Sequence, residues 1–110
     1  MKIISLKQNR DFKRLYNKGK SIVTPYFIVY YSYNKYKQTR LGITATKKIG
    51  GAVERNRCRR IIKEAFRQIL PGINGTYDFV IVSRARLVNS NSNTILKILS
   101  SALESNRLLK

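Results

Sequence analysis

The chain has 110 residues, 43% of them hydrophobic, and its 23 lysines and arginines greatly outnumber its 5 acidic residues. This length and apolar content predict one domain with one core. The net charge of +18 favours a polyanionic partner, with nucleic acid first and an anionic membrane surface second. One cysteine and no histidine exclude an intrachain disulfide, the usual Cys/His zinc sites and Ser-His or Cys-His catalysis.

Hydropathy and the positions of the acidic residues further limit the kind of protein that the sequence can encode. No apolar run approaches the roughly 20 residues that span a bilayer, and the apolar stretch after Met1 is too short for a signal peptide. We therefore expect a cytoplasmic protein. The 5 acids are scattered along the sequence, so neither a catalytic carboxylate pair nor an acidic metal cage is expected.

The first half of the chain predicts one helix followed by three strands. Apolar residues recur at i, i+3 and i+4 over residues 7–18, which indicates a helix that Gly19 ends. Residues 21–24 predict a short strand, and the β-branched and aromatic run over residues 26–33 predicts a longer one. Residues 39–49 alternate between apolar and polar side chains, so we expect a half-buried strand that pairs with the preceding strand as a hairpin.

The second half predicts a helix, a strand and a helix. Residues 52–70 place their apolar side chains within an arc of about 140°, with Cys58 in that stripe as a core residue. Residues 77–83 form a near-continuous apolar run of the kind found inside a sheet. Residues 93–108 predict the last helix, after a polar loop that can supply an N-cap. The order α-β-β-β-α-β-α predicts a single α/β (α+β) domain over residues 1–110.

The helix over residues 52–70 carries dense positive charge opposite its apolar stripe. An unbroken i, i+4 ladder of like charge is formed by Arg55, Arg59, Lys63 and Arg67. Each like-charged pair costs about 0.2–0.5 kcal/mol, and Glu64 offsets only Arg60 at that spacing. The alternative is an ordinary solvated face, but such faces normally mix both signs of charge. The ladder therefore favours a polyanion, and its arginines favour bidentate contacts with phosphate.

The turn that leads into this helix is a second, weaker candidate. Lys47 and Lys48 precede Gly50-Gly51, where the exposed amides of a helix N-terminus attract phosphate. The alternative is an ordinary strand-to-helix turn in which glycine supplies an unusual backbone conformation.

Aromatic side chains form a third candidate. Phe12 and Tyr16 lie one helical turn apart, and tyrosines are concentrated over residues 26–33. Three helices cannot fully cover both faces of a sheet in so small a domain, so an open aromatic face flanked by cations is expected. Such a face suits the stacking of unpaired bases, whereas the alternative is packing in the core.

The segment from Arg40 to Arg67 strongly resembles the protein subunit of bacterial ribonuclease P. It contains the family's Arg-Asn-Arg element at residues 55–57, after a Lys-Lys-x-Gly-x-Ala-Val lead at residues 47–53. Residues 11–21 and 26–30 resemble the family's first helix and second strand, so the resemblance covers nearly the whole chain.

The resemblance implies both a fold and a function. The fold would be a compact domain with a four-stranded mixed sheet and a left-handed crossover, like the second domain of ribosomal protein S5, against the usual right-handed rule. The function would be that of the protein subunit of an endoribonuclease whose RNA subunit is the catalyst. That enzyme removes the 5′ leader of precursor tRNA to give the mature 5′ end, with Mg²⁺ bound by the RNA rather than by a dedicated protein site.

The resemblance also assigns residues to two surfaces, with no catalytic residue in the protein. The surface for the catalytic RNA is expected to comprise Lys47, Lys48, Arg55, Asn56, Arg57, Arg59, Arg60, Lys63 and Arg67. The cleft for the single-stranded leader is expected to comprise Arg10, Phe12, Lys13, Tyr16, Tyr30 and Arg40. The partners would be ribonuclease P RNA and precursor tRNA, without a membrane or a small-molecule substrate. A general RNA-binding protein, a cationic peripheral membrane protein and a stand-alone nuclease are the alternatives.

Overall fold

The computed structural model describes residues 3–110, so Met1 and Lys2 of the predicted domain lie outside the described residues. The eight main elements are β1 (Ile4–Ser5), α1 (Asn9–Lys18), β2 (Lys20–Val23), β3 (Phe27–Tyr33), β4 (Arg40–Thr44), α2 (Ala52–Ile69), β5 (Tyr77–Ser83) and α3 (Ser92–Ser105). Short 3₁₀ turns follow α2 and β5. The three predicted helices are present, and the bounds of α2 differ from the prediction by one residue.

The sheet has the strand order β1-β4-β5-β3-β2 and is mixed, as predicted. Strands β1, β4 and β5 are parallel, whereas β3 is antiparallel to both of its neighbours. The expectation of four strands is wrong, because β1 pairs with the start of β4 through Ile4 and Arg40. A two-residue strand is too short to show the alternating pattern by which strands are found in a sequence.

The predicted hairpin between β3 and β4 is also wrong. Strand β5 lies between them and pairs with β3 on one side and β4 on the other. Alternation along a strand tells which side chains share a face but not which strand lies alongside. The continuous apolar run of β5 explains the arrangement, because a strand buried on both faces belongs at the centre of a sheet. The left hand of the β4-α2-β5 crossover and the likeness to ribosomal protein S5 stay predictions.

Helices α2 and α3 cover one face of the sheet and form the main core with it. Cys58 and Phe66 of α2, Leu99 of α3 and Phe79 of β5 are fully buried or nearly so. The core position of Cys58 is therefore confirmed. Helix α3 begins at Asn91, whose side chain accepts a hydrogen bond from the Thr94 amide at 2.9 Å, as the polar loop predicted.

The opposite face of the sheet is covered by α1 alone. A small cluster of buried residues, Leu6, Leu15 and Val80, joins α1 to the sheet, with Phe12, Tyr30 and Val82 packed against it. The two faces are thus unequally covered, as expected from the number of helices. Tyr16 of α1 keeps 40% of its surface exposed on the less covered side.

Candidate nucleic-acid interface

The polar side of α2 forms a shallow basic concavity, hereafter the α2 concavity. It encloses about 550 Å³ and is lined by Val53, Asn56, Arg59, Arg60 and Lys63. These side chains meet because residues three and four apart share one side of a helix. The opposite side of the same helix lies in the core, so the sheet holds the concavity in a fixed orientation. A rigid cationic surface of this kind can accept phosphates at defined positions.

Not every cation of α2 points into this concavity. The Arg57 guanidinium donates hydrogen bonds to the backbone carbonyls of Val88 at 2.9 Å and Ser90 at 3.4 Å. It therefore joins α2 to the segment that leads into α3. The family resemblance placed Arg57 with the other RNA-binding residues, and nothing in the sequence indicated this structural role.

Glu64 offsets Arg67 rather than Arg60, which was the partner indicated by the i, i+4 spacing. The Arg67 Nη2 lies 2.7 Å from the Glu64 Oε1, one helical turn away. The hydrogen bond from Arg67 lowers the pKa of Glu64. Arg60 and Lys63 consequently lie in the α2 concavity without a carboxylate partner among the described residues.

The turn before α2 exposes both predicted lysines. Lys47 and Lys48 lie in the bend between β4 and α2, and Gly50 adopts a φ of 151°, which favours glycine. A Cβ atom on Gly50 would lie 3.0 Å from the Cβ of Glu54, so the acidic side chain of the first helical turn packs against this bend. Glu54 thus places negative charge beside the helix N-terminus, which opposes phosphate binding there, and the phosphate-binding role of Lys47 and Lys48 stays a prediction.

A groove between α1 and the end of β4, hereafter the α1–β4 groove, is the second concave surface. It encloses about 410 Å³ and is lined by Asn9, Phe12, Lys13, Tyr16, Ile43, Thr44, Ala45 and Arg59. Phe12 rests directly on the backbone of Gly42, because a Cβ atom there would lie 2.6 Å from the Phe12 Cζ. Gly42 therefore lets α1 come close to the sheet.

The three aromatic residues expected in the leader cleft form a row, of which Phe12 and Tyr16 line this groove and Tyr30 packs against Tyr16 without lining it. The ring centroids of Phe12 and Tyr16 are 6.4 Å apart, and those of Tyr16 and Tyr30 are 5.0 Å apart with the rings nearly perpendicular. Tyr16 also exchanges a hydrogen bond with the Thr44 hydroxyl at 3.0 Å. Phe12 and Tyr30 are half-buried, so both of them also pack in the small core, and Tyr16 is the most accessible ring of the row.

The structure places the two arginines expected in the leader cleft elsewhere. Arg10 is exposed on α1 and does not line the groove. Arg40 donates two hydrogen bonds to Asp78, from Nε to Oδ1 at 2.8 Å and from Nη2 to Oδ2 at 2.7 Å. Its guanidinium carbon also lies 4.5 Å from the ring centroid of Tyr36. Of the predicted cations, Lys13 is the one that lines the groove.

Asp78 is the residue that sequence reasoning missed. Its carboxylate is buried on β5 and accepts further hydrogen bonds from Arg14 at 2.7 Å and Asn34 at 2.9 Å. Burial raises the pKa of Asp78, but the hydrogen bonds from Arg40, Asn34 and Arg14 outweigh this effect and the pKa is lowered overall. A lone acid inside an apolar strand was the available signal, because a buried charge needs partners.

Arg59 connects the two concave surfaces. It lines the α2 concavity beside Arg60 and also lines the α1–β4 groove beside Tyr16. The structure therefore places part of each predicted set on adjoining surfaces: Asn56, Arg59, Arg60 and Lys63 from the set for the catalytic RNA, and Phe12, Lys13 and Tyr16 from the set for the leader.

The described part of the chain has neither a metal-binding cluster nor a membrane-spanning helix. Over residues 3–110, no three His, Cys, Asp or Glu side chains come together as a metal site would require. Within the same residues, none of the helices has the length and apolar character to cross a bilayer. Three of the acidic residues, Asp11, Asp78 and Glu64, each form an ion pair with an arginine.

The fold and the two surfaces describe a small basic α+β domain, and comparison with known proteins gives its family. The family model for ribonuclease P matches residues 1–106. The ribonuclease P protein component of Thermoanaerobacter sp. (strain X514) is 35% identical over 94 residues, which cover 86% of this chain and 81% of the relative. That of Clostridioides difficile (strain 630) is 43% identical over 84 residues, which cover 72% and 70%.

Solved structures agree with this relationship. The RNase P protein of Staphylococcus aureus superposes with a TM-score of 0.86 at 33% identity, covering 99% of this chain and 100% of that one. The RNase P protein from Thermotoga maritima superposes with a TM-score of 0.79 at 30% identity, covering 89% and 94%. The chain therefore belongs to the ribonuclease P protein component family.

Proposed function

We propose that this protein is the protein subunit of a ribonuclease P ribonucleoprotein and acts in the maturation of tRNA 5′ ends. The α2 concavity, with the exposed lysines before it, binds the catalytic RNA. The α1–β4 groove holds the single-stranded 5′ leader of precursor tRNA. The RNA subunit cleaves the phosphodiester bond, and the protein supplies no catalytic residue.

The observation that carries this proposal is the junction of two chemically different surfaces at Arg59. The α2 concavity offers cations for a phosphate backbone. The groove offers an exposed aromatic ring beside Lys13, which suits unpaired bases more than a duplex. A protein that joins a folded RNA to an adjacent single strand requires this combination.

The charge of the protein explains how it assists the reaction. The catalytic RNA and its substrate are both polyanions and repel each other. A domain with a formal charge of +18 that is held between them reduces this repulsion. The leader then adds contacts that mature tRNA lacks, so the precursor binds more tightly than the product does.

Mg²⁺ belongs to the RNA in this proposal. The described residues offer no acidic cluster for it, and Asp11, Asp78 and Glu64 are engaged by arginines. When bound to the RNA, the metal supplies the charge stabilisation that phosphodiester cleavage needs. The protein contributes by placing phosphates, which lowers the free Mg²⁺ concentration that the ribonucleoprotein requires.

Reconstitution with a bacterial ribonuclease P RNA tests the proposal. Cleavage of precursor tRNA is measured over a Mg²⁺ titration with and without the protein, and equilibrium binding is compared for leader-bearing and mature tRNA. We expect the protein to shift the titration to lower Mg²⁺ and to favour the leader-bearing form. An unchanged titration together with equal affinities for the two tRNAs would instead indicate a general RNA-binding protein.

Two simple controls address the other classes of protein. Protein freed of RNA should leave precursor tRNA intact, whereas cleavage by it would indicate a stand-alone nuclease. Vesicles with anionic lipid should lose the protein once salt is raised, because among the described residues of α2 Val53 is the one large apolar side chain that is exposed beside the charges.

A further inference from the structure

Asp78 lies at the centre of a polar cluster, hereafter the Asp78 clamp, that consists of Asp78, Arg14, Arg40 and Asn34. The carboxylate accepts four hydrogen bonds of 2.7–2.9 Å from these three partners. Its side chain is 1% exposed. Burying a carboxylate on an otherwise apolar strand destabilises the fold unless the carboxylate is fully hydrogen-bonded. Here each of its two oxygens accepts two hydrogen bonds.

The clamp joins separate parts of the fold. Asp78 and Arg40 are cross-strand partners on β5 and β4, Arg14 belongs to α1, and Asn34 belongs to the turn after β3. Asn34 also donates to the Gln38 carbonyl at 3.1 Å, so the turn is held as well. Arg14 is the member that connects the sheet to the helix forming one wall of the α1–β4 groove.

Helix α1 depends on this connection because its apolar support is small. Leu15 is its one fully buried residue, and the cluster beneath it contains few side chains. On the groove side, the hydrogen bond between Tyr16 and Thr44 holds the helix. On the other side, the ion pair from Arg14 to Asp78 holds it, and Arg14 also reaches Asp11 at 3.4 Å.

We propose that Asp78 is a positioning residue for leader binding, because it holds α1 through Arg14 at the spacing from β4 that the leader needs. This inference rests on the proposed function of the groove. It also assigns Arg14 and Arg40 to contacts within the domain rather than to the phosphates of the leader. Phe12 and Tyr16, two residues on either side of Arg14, are the side chains whose placement depends on the clamp.

The test is Asp78→Asn in the reconstituted ribonucleoprotein, with Glu104→Gln on the exposed end of α3 as the matched control. Both substitutions raise the net charge by one, so an effect of charge alone would strengthen RNA binding equally in both. The clamp predicts that Asp78→Asn weakens binding of leader-bearing tRNA about tenfold. Binding of mature tRNA and of the catalytic RNA should stay within about twofold of wild type for both variants.

A second variant guards against loss of the fold. Arg14→Met removes the link to α1 and leaves Arg40 and Asn34 on Asp78, so it should reproduce the selective loss, and Arg14→Lys should restore part of the affinity. The inference is overturned if Asp78→Asn and Arg14→Met both keep the preference for leader-bearing tRNA. It is equally overturned if they weaken leader-bearing and mature tRNA alike, as general damage would. If the wild-type protein shows no such preference, the proposed function fails first and the inference fails with it.

Discussion

The α2 concavity and the α1–β4 groove adjoin at Arg59 but differ in what holds them together. The α2 concavity gathers cations that repel one another, and the main core beneath fixes its helix. The groove has a half-buried aromatic wall on a helix with a small core of its own, held by the Asp78 clamp. Affinity for the first surface should follow charge and salt, whereas affinity for the second should follow shape and stacking.

The largest effect is expected from removing charge in the α2 concavity. Arg60→Ala combined with Lys63→Ala should weaken binding of the catalytic RNA about 10- to 100-fold, because two phosphate contacts are lost. The slope of log affinity against log salt should fall by up to about two. Fluorescence anisotropy of labelled RNA over a salt series measures both quantities.

The matched control for this variant is Lys35→Ala combined with Lys37→Ala. These lysines are exposed in the turn between β3 and β4, so the control removes the same charge away from the concavity. Equal losses in the two double variants would show that total charge, rather than the α2 concavity, governs binding.

A smaller and more selective effect is expected in the groove. Tyr16→Ala should weaken leader-bearing precursor about tenfold, because stacking contributes about 1–3 kcal/mol per base, and should leave binding of the catalytic RNA unchanged. Tyr33→Ala is the control, since Tyr33 is 69% exposed on a strand end away from the groove. Competition binding with leader-bearing and mature tRNA gives the comparison, and a loss shared by both tRNAs would refute the stacking role.

The smallest expected effect concerns stability and distinguishes Arg57, which supports the fold, from Arg60, which does not. Arg57→Ala should lower the free energy of unfolding by about 1 kcal/mol, because two carbonyls lose a charged donor. This corresponds to a decrease in Tm of about 4 °C or more for a domain of this size. Arg60→Ala should not lower the Tm, since it relieves repulsion. Calorimetry of the two variants compares them, and equal Tm values would contradict a structural role for Arg57.

The elements that the sequence predicted well are those with a strong period of their own. Helix α2 has an apolar side and a basic side over five turns of 3.6 residues. Its bounds and its buried side could therefore be predicted from the sequence. The neighbours of β4 could not be predicted, because 32 residues separate the end of β4 from the start of β5 and pairing between distant strands leaves no local pattern. The two residues of β1 gave no pattern at all.

For the candidate sites, too, local features could be predicted from the sequence and contacts between distant residues could not. The position of Tyr16 on an open face could be predicted, because the number of helices limits how much of the sheet they cover. The partners of Arg40 and Arg57 could not, because a guanidinium reaches a carboxylate or a carbonyl that only the fold brings near. Both arginines look like RNA ligands in the sequence, and in the structure both hold other parts of the domain in place.

The central claim is that the two surfaces perform separable tasks, and the leader preference of the assembled ribonucleoprotein tests it most directly. That preference is the ratio of Kd values for mature and leader-bearing tRNA, measured with enough catalytic RNA to saturate each variant. The ratio should stay within about twofold of wild type for Arg60→Ala combined with Lys63→Ala, and it should fall about tenfold for Tyr16→Ala. A ratio that falls equally in both variants would contradict the claim.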